Sequence, residues 1–139
     1  TCVAMDFLQK REPFADDALR IFRAAASELF AGYITAKSAT DIYYISHRCT
    51  HSDVESRKNL RALLTIVGML DSAAIDVLQS LSSDISDFED AVMVETAKRA
   101  SVDCIVTRNQ KDYAKSSVSV FSPGEFLEHL MSSSEEPLE

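Results

Sequence analysis

Acidic residues stand where a set of short elements would gather them: Asp41 in the first turns of one helix, Asp87, Glu89 and Asp90 at the start of another, and Asp112 after an apolar strand. Carboxylates that converge on one cleft repel one another and raise their own pKa values unless a cation relieves them. Hard oxygen ligands suit Mg²⁺ or Mn²⁺, and a carboxylate-held cation that keeps its waters can orient a nucleophilic water and offset charge on a phosphodiester. Metal-assisted phosphodiester hydrolysis is therefore the chemistry this set could do. The same acids have a plainer use, because carboxylates at helix starts cap free amides and compensate the helix dipole, each contributing about 0.3 to 1 kcal/mol. Capping is the preferred reading for Asp87 and Glu89. Asp90 lies three residues past Asp87 on the same helix face, so one acid can cap while the other points into a cleft.

The elements that must position these acids can be read from periodicity. Ala15 to Phe30 carries Leu19, Ile21, Phe22, Ala25, Ala26, Leu29 and Phe30 on one helical stripe, ended by Gly32. Tyr33 to Ala36 reads as a short strand, Lys37 to Cys49 as a helix, Thr50 to Glu55 as a polar loop and Ser56 to Leu70 as a further helix. Ser72 to Leu81 is another short helix. Ser86-Asp87-Phe88-Glu89 fits an S-x-x-E capping box opening a long helix that ends near Ala100. Cys104 to Thr107 and Val118 to Phe121 read as strands, and Ser122-Pro123-Gly124-Glu125 places a cap, a first-turn proline and an acid ahead of a helix over Pro123 to Met131. Thr1 to Met5 reads as the end of an apolar strand. Strands alternating with helices imply an α/β fold, a three-layer α/β/α sandwich around a central, mainly parallel sheet. Ligands in such a sheet sit beyond the carboxyl ends of the strands, which is where the acids fall. A single domain is expected over 1–131, with a flexible tail over 132–139.

Composition narrows the classes further. Hydrophobic residues at 46% and charged residues at 26% are the balance of one ordinary globular domain, large enough to fold without a disulfide or structural metal. Three Gly and three Pro are too few for an all-β sandwich. The formal charge of −8 excludes a general basic coat for nucleic acid, so any such contact must be local. Cys2, Cys49 and Cys104 are odd in number and far apart, which points to reduced thiols and a cytoplasmic location. His47 and His51 have a chelating i,i+4 spacing but no second ligand pair, and the chain has no glycine-rich phosphate loop.

Four stretches, in order, resemble the PIN-domain family. Thr1 to Phe14, with Lys10-Arg11-Glu12-Pro13-Phe14, resembles the family's opening. Ser86 to Ala91 and Ile105 to Tyr113 resemble two further motifs, and Ser122 to Leu127 a closing strand-to-helix junction. The similarity runs from Thr1 to about Leu130. It implies the three-layer fold and, as in the VapC-type toxins of toxin-antitoxin pairs, a Mg²⁺- or Mn²⁺-dependent ribonuclease. By position, the family's catalytic and metal-binding acids fall on Asp41, Asp90 and Asp112. Thr107 and Asn109 would line the same edge, and Asp6 matches a frequent acid of the first helix. The family's leading Asp falls immediately before Thr1, so an apolar strand ending in Asp is expected there, and Cys2 replaces the usual Asn. The resemblance also implies a homodimer and an antitoxin protein laid across the helices.

Lys10, Arg11, Arg108 and Lys111 are the basic residues expected near the strand ends, where they could hold an RNA backbone around the acidic centre. A non-catalytic PIN-like interaction module is the alternative. A phospho-acceptor domain of the receiver type would need paired acids after the first strand and a late Lys.

Overall fold

The computed structural model describes residues 1–134 of the 139 in the chain. Helices account for 61% of the described residues, in keeping with the scarcity of turn residues. In order, the elements are α1 (Cys2–Gln9), α2 (Ala15–Ala26), β1 (Tyr33–Thr35), α3 (Ala36–Thr50), α4 (Asp53–Leu64), β2 (Gly68–Leu70), α5 (Ala74–Ser80), α6 (Phe88–Arg99), β3 (Cys104–Val106), a 3₁₀ turn (Gln110–Tyr113), β4 (Ser119–Phe121) and α7 (Pro123–Ser134).

The opening of the chain differs from expectation: Cys2–Gln9 is a helix, not a strand end. Its Met5 amide donates to the Thr1 carbonyl at 3.0 Å, and Ala4, Met5, Leu8 and Gln9 are all good helix formers. A short apolar run does not distinguish strand from buried helix by periodicity. Val3, Ala4 and Met5 enter the larger core cluster, and Phe7 stacks on Phe22 of α2 with ring centroids 4.5 Å apart.

α2 ends at Ala26, four residues short of the expected Phe30, because Glu28 adopts a left-handed φ of 60° and turns the chain out of the helix. The turn carries Phe30 to an edge-on contact with Phe126 of α7. The helix expected over Ser56 to Leu70 begins earlier and stops sooner. Ser52 caps α4 by accepting from the Glu55 amide at 3.1 Å, within the stretch expected to be a loop. The β-branched run Thr65-Ile66-Val67 and then Gly68 end it, and Gly68–Leu70 becomes β2. Gly68 suits the close pairing there, because a Cβ would stand 3.0 Å from the Tyr33 ring of the paired strand, which would have to shift.

Among the described residues all strand pairing is parallel, as expected, and it falls into two pairs. β1 pairs with β2 in the register Ile34 opposite Met69, and β3 with β4 in the register Ile105 opposite Val120. The fold is α/β and compatible with the three-layer α/β/α sandwich. α1 packs on α2, α2 on α7, α3 on α4 and α5 on α6. One core cluster is centred on Met5, Ile42 and Leu63, and a smaller one gathers Ile85, Ala91, Val94 and Tyr113. Ser122 caps α7 through the Glu125 amide, and α7 runs on through 132–134. The rest of the expected tail, 135–139, lies outside the described residues.

Candidate active site

A cleft of about 450 Å³ opens where β1 and β3 end. Lys37, Ser38 and Asp41 reach it from the start of α3, and Thr107 and Asn109 from the loop after β3. Glu89 and Asp90 reach it from the first turn of α6.

Thr35 starts α3 by accepting from the Ser38 amide at 3.0 Å, so that Asp41 falls one turn after Lys37 on the cleft side. At the other wall, the cap of α6 is Asp87 rather than Ser86. Its carboxylate accepts from the Asp90 amide at 3.0 Å, as the plainer reading of Asp87 held. That bond leaves the Asp90 side chain free for the cleft. There its Oδ1 accepts the Tyr113 hydroxyl at 2.9 Å.

The two acids feel different fields. Burial raises the carboxyl of Asp90; the Tyr113 hydrogen bond opposes the rise, while the charges of Asp87, Asp112 and Glu89 add to it. Burial and the bond to Asp90 also push the Tyr113 hydroxyl up, so it stays a donor. Asp41 is met by Lys37, whose Nζ lies 2.6 Å from Asp41 Oδ2 and 3.2 Å from Glu89 Oε1. Burial works to lower the Lys37 ammonium, but its bonds to the two acids outweigh that and raise it.

Of the expected site residues, Asp41, Asp90, Thr107 and Asn109 line this cleft together. Thr107 is buried; its Oγ1 accepts from the Asn109 amide at 3.1 Å and lies 3.7 Å from Cys2 Sγ. Asp112 is exposed on the 3₁₀ turn, outside the lining, and reaches Asp90 only through its charge. Lys111 is likewise exposed and outside the cleft. Asp6 is 1% exposed and is gripped by Arg108, with Nε to Oδ2 at 2.6 Å and Nη2 to Oδ1 at 3.1 Å. The Arg108 guanidinium also lies 3.9 Å from the Phe14 ring centroid, and Arg11 stands 4.0 Å from Asp6. Arg108, expected on RNA, is thus spent on locking the loop after β3 to α1. Cys2, Cys49 and Cys104 are free thiols.

Sequence reasoning did not single out Lys37, Tyr113, Tyr44 or Arg48 at this site. The i,i+4 spacing of Lys37 and Asp41 was a readable signal. Nothing local marks Tyr113 as the partner of an acid on α6, because fold topology makes that contact.

Among the described residues no three His, Cys, Asp or Glu side chains cluster closely enough to cage a metal. Asp41 and Asp90, two of the three carboxylates that line the cleft, nevertheless fit Mg²⁺, which holds on to its waters and is commonly bound through one or two carboxylates plus substrate phosphate. The strain on Asp90, raised by burial and by three neighbouring acids, is of the kind a divalent cation relieves.

An acidic cleft at the carboxyl ends of parallel strands is the ligand-binding position of an α/β domain. The family model for the PIN domain matches residues 1–111, and the chain belongs to the PIN-domain family. PIN domains are in general metal-dependent nucleases. A search of curated proteins finds no match. No helix among the described residues is long and apolar enough to cross a membrane.

Proposed function

We propose that this PIN domain is a divalent-metal-dependent endoribonuclease of the VapC type, the toxin of a toxin-antitoxin pair, acting in the cytoplasm as a homodimer. The observation that carries the nuclease reading is the meeting of Asp41 and Asp90 across one cleft, with the Asp90 carboxyl raised by burial and neighbouring acids. Asp41 and Asp90 are the residues that would hold Mg²⁺ or Mn²⁺, with Asp112 contributing charge from the rim. When bound, the cation makes water more acidic and offsets phosphate charge. The Tyr113 hydroxyl bonds to Asp90, and Asn109, which lines the cleft, would donate to a phosphate oxygen. Asp6 and Arg108 act behind them by holding the loop that presents Thr107 and Asn109.

Thr1 Oγ1 donates to Ser38 Oγ at 3.0 Å, inside the cleft, so a residue joined ahead of Thr1 would enter beside Asp41. The Asp that the resemblance implies there would add a further carboxylate beside Asp41 and Asp90. One observation favours the non-catalytic module instead: Lys37 already supplies a cation to Asp41 and Glu89.

Calorimetric titration with Mn²⁺ tests the metal site. Wild type should bind, and Asp41→Asn and Asp90→Asn should each weaken binding at least tenfold. Absence of binding, or binding indifferent to both substitutions, would support the module.

A further inference from the structure

We propose that Tyr44 and Arg48, on the cleft-facing stripe of α3, form a subsite for single-stranded RNA, Tyr44 stacking a base and Arg48 holding a phosphate. The inference rests on the nuclease reading for its substrate class, but its residues are separate from the acids. Lys37, Asp41, Tyr44 and Arg48 recur at helical spacing and all line the cleft. The cations of this lining differ in their commitments. Lys37 is bound to Asp41 and Glu89, and Arg11 to Gln9 with Asp6 beside it. Arg48 is exposed and, among the described residues, has no hydrogen-bond or ion-pair partner. A free guanidinium at the mouth of an acidic cleft, on a chain of charge −8, is suited to an anion that the acids themselves would repel.

One helical turn closer to Asp41, Tyr44 is 64% exposed. It has an aromatic neighbour on one side. Tyr43 meets it edge-on with centroids 5.0 Å apart, and Tyr43 is itself held by its hydroxyl bond to Asp53 at the start of α4 and by stacking on His47. An exposed, braced aromatic face beside an unpaired arginine is the pairing that single strands use, since every unstacked base offers a π-face and every linkage a phosphate. A duplex keeps its bases stacked inside and offers nothing to Tyr44.

The test is fluorescence anisotropy of a labelled single-stranded RNA dodecamer of mixed sequence, with wild-type protein in EDTA so that the probe stays intact. Tyr44→Ala should weaken binding about tenfold while Tyr44→Phe keeps it, because stacking needs the ring and not the hydroxyl. Arg48→Ala should weaken binding and flatten its dependence on the logarithm of salt concentration by about 0.7, with Arg48→Lys keeping most of that slope. The duplex of the same sequence should bind more weakly and ignore Tyr44→Ala. Binding by both alanine variants within twofold of wild type would overturn the subsite and leave the face to a protein partner, as would a wild-type protein that binds no RNA. Metal-dependent cleavage, measured separately, distinguishes failure of the subsite from failure of the nuclease reading.

Discussion

Asp6 and Asp90 are each bonded to the segment that follows β3, through Arg108 and Tyr113, and their surroundings give them different work. Asp6 is sealed from water and its charge is answered by Arg108, 102 positions later in the sequence. Removing that partner leaves a buried carboxylate with only Arg11 at 4.0 Å. Arg108→Ala should therefore cost about 3 kcal/mol in urea unfolding, with part recovered by Asp6→Asn in the same chain; wild-type stability in the single variant would refute the clamp. Asp90 is the reverse case, a carboxyl raised by burial and by like charges. A group with a raised folded pKa contributes stability that is full below its unfolded value and is lost as pH rises through the folded one. Metal-free Asp90→Asn should thus be at least as stable as wild type at pH 7, with any gain closing in acid, as thermal melts across pH will read. The sequence made the acids at Asp41 and Asp90 visible through their places after β1 and at the start of α6. It gave no sign that Arg108 would turn inward, since its partner is distant and buried.

At the scale of elements, α6 carries Asp90 and is fixed at both ends. Asp87 caps its first turn, and near its last turn Arg99 grips Asp76 of α5 with Nε to Oδ1 at 2.8 Å. Asp76 is 1% exposed and also accepts from Thr96 and the Ala73 amide. Asp87→Ala should cost about 1 kcal/mol. Arg99→Ala, which strands Asp76 in the interior, should cost about 3 kcal/mol by the same urea measurement. The Arg99 bonds hold the Asp76 carboxyl below its ordinary 3.8 against the opposing effect of burial. The contribution of this pair is therefore present above that value and lost as pH falls below it, so the Arg99→Ala penalty should shrink in strong acid. Elements with long stripes or explicit caps, such as α2 and α7, were legible in sequence. α1 and β2 were not: Val3-Ala4-Met5 and Gly68-Met69-Leu70 are too short to show a period, and packing on Phe22 and pairing with Tyr33 decide them.

The whole molecule combines an acidic chain with a cleft whose cations are Arg11, Lys37 and Arg48, the first two already engaged. RNA should accordingly bind weakly without metal and more weakly as salt rises. The proposed homodimer is checked by sedimentation at micromolar concentration, where a clean monomer would count against it. Two parallel strand pairs set the walls of the site, and the α/β class could be read from the alternation of apolar runs and capped helices. That the pairs stand apart could not, because pairing is a long-range choice. The most direct measurement is cleavage of a fluorogenic single-stranded RNA by the chain with its native N-terminus, in Mn²⁺, Mg²⁺ or EDTA, beside Asp90→Asn. The account predicts cleavage that needs either metal, stops in EDTA and falls at least a hundredfold in the variant. No cleavage with either metal, or cleavage unchanged by Asp90→Asn, would contradict it.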